Sequence, residues 1–139
     1  MANSFEVSID VAAPPAEVWA LAGDPARVGD WFAPVVECSM DGDVRRVTMG
    51  NGARLVERIV RHDDASRSYA YSVLEGIPGL VRHEAVITVD EAPGGSRVRW
   101  SQDAESEAEG YDAEARLRKV MEQGLETLRD ELEGTGGGG

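Results

Sequence analysis

Leu117-Arg118-Lys119-Val120-Met121-Glu122-Gln123-Gly124-Leu125-Glu126-Thr127-Leu128-Arg129-Asp130-Glu131-Leu132 decides the fold, because its apolar residues return every three or four positions. That spacing predicts a long amphipathic helix, with Arg118, Lys119, Glu122, Glu126 and Arg129 on its solvent side and Gly134 as its C′ residue. Upstream the period is different. From Val35 to Ala104, short β-prone runs are separated by Asp41-Gly42, Asn51-Gly52, Asp63-Asp64-Ala65-Ser66, Gly76-Ile77-Pro78-Gly79 and Pro93-Gly94-Gly95. Asp-Gly and Asn-Gly read as two-residue hairpin turns, so these runs form a six-stranded antiparallel meander. Phe5 to Val11 alternates apolar and polar residues and adds a strand at the start.

Between that strand and the meander, Pro14-Pro15 opens one short helix, which ends at Gly23. Asp24-Pro25 opens a second, running to Trp31-Phe32. The prediction is an α+β chain: strand, two short helices, six-stranded meander, long C-terminal helix. A half-buried sheet must be covered on one face, and only the last helix is long enough. The short helices plug one end, and a space is left inside. Residues 1–134 are read as one domain and 135–139 as a disordered glycine-rich tail.

Composition narrows the function. The chain has 139 residues, 42% of them hydrophobic, which suits one globular domain. Its net charge of −12 disfavours nucleic acid and anionic lipid as partners. There is no run of about 18 apolar residues to span a membrane, and no secretory leader is read at the N-terminus. A single cysteine, Cys38, fits a cytoplasmic location. Two histidines and one cysteine without ligand spacing predict no metal, and no cofactor motif is found. Only 6% of residues are aromatic, so few large groups are available to fill the interior. A cavity of roughly 300–1,000 Å³ is therefore expected, the usual size of a small-molecule site.

Ile9-Asp10-Val11-Ala12-Ala13-Pro14, Glu17-Val18-Trp19, Asp24-Pro25, Trp31 and the closing Gly124-Leu125-Glu126-Thr127-Leu128 resemble the polyketide cyclase/dehydrase-like family. That family lies in the START-like, birch-pollen-allergen-like superfamily, also called SRPBCC, and the resemblance implies a helix-grip fold. More locally, Glu57-Arg58-Ile59 with Asp63-Asp64 resembles plant abscisic-acid receptors. This likeness implies that Glu57 faces a ligand. It aligns His83 and Ala85 with a pocket tyrosine and serine, and puts Glu37 near a pocket lysine. Met49-Gly50-Asn51-Gly52 is too short for the receptors' gate loop, and Gly79-Leu80-Val81-Arg82 lacks their latch, so no phosphatase-binding switch is implied.

Two-residue turns would group Val35, Glu37, Ser39, Val44, Arg46, Thr48, Leu55, Glu57 and Ile59 on one face, and Val36, Cys38, Met40, Arg45, Val47, Met49, Arg54, Val56 and Arg58 on the other. Counting apolar residues favours the second face; the resemblance favours the first, which is taken as the interior. Tyr69, Tyr71, Val73, His83, Ala85 and Trp100 line the inside from later strands, with Met121, Gly124 and Leu128 from the helix and Trp31 from the second short helix. Gly124 either allows close helix–sheet packing or leaves room for a ligand. His83 is either a satisfied core histidine or a polar anchor able to move a proton. Glu57 is either an outward partner of Arg46 or an inward carboxylate. Arg46 could grip a ligand carboxylate.

The leading function is binding of a hydrophobic or amphipathic small molecule between sheet and helix. A polyketide cyclase or dehydratase using His83 and Glu57 is the alternative. A co-chaperone or toxin-type interaction module is a third, and the oligomeric state is left open.

Overall fold

A computed structural model of the chain describes residues 2–137, with side chains from Asn3 to Gly134. The elements are β1 (Ala2–Val11), α1 (Pro15–Ala22), a 3₁₀ turn (Pro25–Arg27), α2 (Val28–Trp31), β2 (Val35–Asp41), β3 (Val44–Met49), β4 (Arg54–Asp63), β5 (Ser68–Glu75), β6 (Leu80–Ala92), β7 (Gly95–Ser106) and α3 (Ala113–Gly137). All seven strands form one antiparallel sheet in the order β1-β7-β6-β5-β4-β3-β2. This is the α+β helix-grip architecture that the change of period predicts.

α3 lies along β1 and β7 and meets α1 and α2. It buries Ala113, Met121, Leu125 and Leu128, with Leu117 and Leu132 half-buried beside them. Its start is fixed by Asn3, whose Oδ1 accepts the Ala113 N–H at 2.7 Å. The helix runs through Gly134 to Gly137, so the expected C′ residue is an ordinary helical position. The tail expected at 135–139 is helical as far as 137, and 138–139 lie outside the described residues. Within the described residues, no helix is long and apolar enough to cross a membrane.

The β3–β4 connection corrects the expected faces. Met49 and Ala53 close a loop of three residues: the Met49 N–H donates to the Ala53 carbonyl at 2.7 Å, and Gly52 sits at φ +90°. A turn followed by a left-handed glycine is the three-residue alternative to the type I′ hairpin. The extra residue shifts register by one and pairs Glu57 with Arg45 and Leu55 with Val47. One step of register turns a whole strand over. Arg45 and Val47 therefore face inward, and Arg46 and Glu37 are exposed. A bulge between Val35 and Glu37 lets Val35 stay buried while Glu37 faces solvent.

Candidate functional site

Arg45 is the most deeply buried charge, at 1% exposure. Its Nε donates to Glu57 Oε1 at 2.7 Å, directly across the β3–β4 ladder. Its Nη1 donates to the Pro25 carbonyl at 2.9 Å and to the Tyr69 hydroxyl at 3.4 Å. The guanidinium also lies over the Tyr71 ring, 4.7 Å from its centroid. Burial alone would disfavour the cation, but Tyr69, Glu57 and Tyr71 more than offset it and hold the guanidinium above its ordinary value. Burial also pushes both tyrosine hydroxyls up, so they stay protonated at neutral pH. The charge that balances Arg45 is therefore the Glu57 carboxylate.

His83 occupies a different place. β5 and β6 pair only over Ser68–Tyr71 and Ala85–Thr88, and beyond Tyr71 the strands diverge. The Val73 N–H has left the ladder and donates instead to His83 Nδ1 at 3.1 Å. The neutral ring must then carry its proton on Nε2, which donates to Gln102 Oε1 at 2.6 Å. Nδ1 thus bridges the fork, and Nε2 ties the ring to β7. Burial is the main influence on the ring and lowers its pKa below 6.5, outweighing the hydrogen bond to Gln102. On falling pH the unfolded chain takes up this proton first, so the contribution of His83 to stability is complete above its unfolded pKa and is lost as pH drops below it. Between about pH 7 and pH 5 the wild type should lose more melting temperature than His83→Gln; parallel profiles would contradict this role.

Among the described residues, a cavity of about 40 Å³ lies between the sheet and the helices, lined by Val28, Phe32, Val35, Arg45, Val47, Met49, Leu55, Glu57, Tyr71 and Trp100. This cavity falls well short of the several hundred cubic ångströms expected, because the few aromatic residues are concentrated here. Trp31 and Phe32 each pack edge to face on Trp100, with centroids 5.3 and 5.2 Å away, and lie tilted against each other at 6.2 Å. Trp100 Nε1 donates to the Tyr71 hydroxyl at 3.2 Å. Trp31 Nε1 is buried with no hydrogen-bond partner among the described residues.

Phe32 lines this cavity and packs on α3 at Gly124. A Cβ on Gly124 would lie 2.8 Å from Phe32 Cδ1, so the glycine allows α3 to close on the phenyl ring. Gly124 also lines a cleft of about 280 Å³, with Ala33, Pro34, Val120, Gln123 and Thr127.

Residues 2–133 match the family described as polyketide cyclase/dehydrase and lipid transport. The chain belongs to this family. Solved structures with the same fold include the protein XoxI from Bacillus cereus, 24% identical, TM-score 0.86, over 94% of this chain and 95% of that one. A putative uncharacterized protein from Bacillus thuringiensis is 22% identical, with TM-score 0.82 over 95% and 98% of the two chains. A protein from Nitrosospira multiformis is 19% identical, with TM-score 0.77 over 93% and 95%. These identities establish the fold alone. No curated protein matches the chain in sequence.

Of the polyketide cyclase/dehydrase-type site anticipated from sequence, Leu55, Glu57, Tyr71 and Trp100 meet around the small cavity. Trp31, Tyr69, Ala85, Met121 and Leu128 are packed into the core beside it. Gly124 lines the outer cleft. Val73 and His83 line a separate opening of about 330 Å³ between β5 and β6, so His83 does not share the cavity with Glu57. Ile59 lies in an open groove of about 740 Å³ beside Trp19 and His62. Glu37 and Arg46 point outward and take no part. Arg45, Val47, Phe32 and Met49 were missed as site residues. The apolar count that favoured the face of Cys38, Arg45, Val47 and Met49 was the signal for three of them.

Proposed function

We propose that this protein binds an apolar small molecule between the sheet and α3, and that the site opens when Phe32 swings away from Gly124. The observation that carries this reading is the contact of Phe32 with Gly124: the partly buried phenyl lines the cavity of about 40 Å³, and the glycine it packs on lines the cleft of about 280 Å³. Displacing it joins the two spaces and adds the volume of the ring, which reaches the size of an ordinary ligand site. Membership of a family that includes lipid transport supports the same class of ligand. Binding is placed ahead of turnover because the candidate acid–base groups are already engaged. His83 is bonded at both nitrogens, and Glu57 is held by Arg45.

Titration with the neutral dye Nile red tests this. Phe32→Ala should raise affinity roughly tenfold, because the competent state no longer has to be populated by moving the ring. Thr127→Trp, which fills the cleft, should abolish binding. Failure of both the wild type and Phe32→Ala to bind would refute the proposal, as would binding unaffected by Thr127→Trp.

A further inference from the structure

The Arg45–Glu57 pair is only half closed. In a guanidinium, Nε–H and one Nη2–H lie along the same edge and can hold both oxygens of a carboxylate. Arg97 does this with Asp10, through Nε at 2.7 Å and Nη2 at 3.3 Å. Arg45 instead gives Nε to Glu57 Oε1 at 2.7 Å and Nη1 to the Pro25 carbonyl and the Tyr69 hydroxyl. Among the described residues, neither Arg45 Nη2, with two protons, nor Glu57 Oε2, with its lone pairs, makes a hydrogen bond.

These two atoms are not sealed in. Among the described residues, the one side-chain nitrogen or oxygen that is both enclosed and without a partner is Trp31 Nε1. Nη2 and Oε2 therefore still reach open space, and the space that Arg45 and Glu57 both line is the cavity of about 40 Å³. Pro25 and Tyr69, the partners of Nη1, are not among its walls, so the unused edge of the guanidinium is the one turned to the cavity. So small a space puts both atoms beside the same incoming group.

Charge and valence decide what that group is. The pair is already neutral as a whole. A carboxylate would meet Nη2 but lose its hydration next to the Glu57 oxygen. A ketone would meet Nη2 and leave Oε2 without a donor. A hydroxyl satisfies both, since its oxygen accepts from Nη2 and its proton goes to Oε2. Buried groups left unmet are costly, and that cost separates the three heads.

We infer that the site selects apolar alcohols, with the hydroxyl between Arg45 Nη2 and Glu57 Oε2 and the hydrocarbon running past Phe32 towards the cleft at Gly124. This rests on the binding reading above.

Decanol, methyl octyl ketone and decanoate have equal numbers of carbons and differ at the head, so their displacement of Nile red from wild type and Phe32→Ala forms the test, at a pH where the acid is ionised. Decanol should compete roughly three- to tenfold better than the ketone and roughly tenfold or more better than decanoate. Glu57→Gln puts an amide donor where Oε2 stood and leaves the Arg45 charge unbalanced. In that variant the ketone and decanoate should draw level with decanol or pass it. The wild-type and Phe32→Ala series decides the matter even if Glu57→Gln does not fold. Competition by the ketone or decanoate equal to or better than that of decanol, in both proteins, would overturn this inference and leave the binding reading intact. The same holds if Nile red binds and none of the three displaces it. Failure of Nile red to bind either protein would overturn both.

Discussion

Arg45→Met should destabilise the fold by about 3–5 kcal/mol, because it leaves the Glu57 carboxylate buried without its partner. Glu57 is 5% exposed and its one short ion pair is to Arg45 Nε at 2.7 Å. The variant also removes the donor to the Pro25 carbonyl, which ties β3 to the 3₁₀ turn ahead of α2. The double variant Arg45→Met/Glu57→Leu should recover most of the loss, since replacing both charges by apolar groups of similar size is commonly neutral or stabilising. Urea unfolding at a constant m-value checks both. A single variant costing under about 1 kcal/mol, as an exposed pair would, contradicts the buried-pair assignment.

Trp100→Ala should cost about 3–5 kcal/mol by leaving a void where the three stacked rings meet. Trp100 is 2% exposed, packs against Trp31 and Phe32, and donates to Tyr71. The void is continuous with the existing cavity, whose walls include Trp100 itself. Apolar voids of this kind accept small aromatic guests. Added indole should therefore raise the melting temperature of Trp100→Ala by mass action, and by more than that of the wild type. A variant that loses stability but does not respond to indole would mean that the core collapses rather than remaining open.

The long-range architecture was legible because it depends on periodicity. The three- and four-residue spacing from Leu117 to Leu132 and the alternation from Phe5 to Val11 survive as α3 and β1. The interior was legible only strand by strand. Within β4, Leu55 and Glu57 share a face whatever the loop does, and both line the cavity. Across β3, the outcome depended on whether Asn51-Gly52 closes a two- or a three-residue loop, and these alternatives differ by less than the burial they decide. Tertiary packing settled it by favouring Val47 inside.

The empty volume was not legible from composition, because a small aromatic fraction says nothing about where the rings gather. His83 illustrates the same limit. Alternation with Ala85 correctly placed it inward, but the fork between β5 and β6 that occupies its Nδ1 is a property of pairing between strands. Gly124 was readable as either packing or space, and the close approach of Phe32 resolves it as packing in this state.

The most direct measurement is the response of the three indole N–H resonances to a neutral apolar ligand in a ¹H–¹⁵N correlation spectrum. Trp31 and Trp100 flank Phe32, whereas Trp19 lies on the outer groove with its Nε1 bonded to Asp64 at 2.8 Å. Titration with Nile red should shift Trp100, which lines the cavity, and with it Trp31, whose ring packs on Trp100, and leave Trp19 in place. Movement of Trp19 alone, or no movement at saturating ligand, would contradict binding between the sheet and α3.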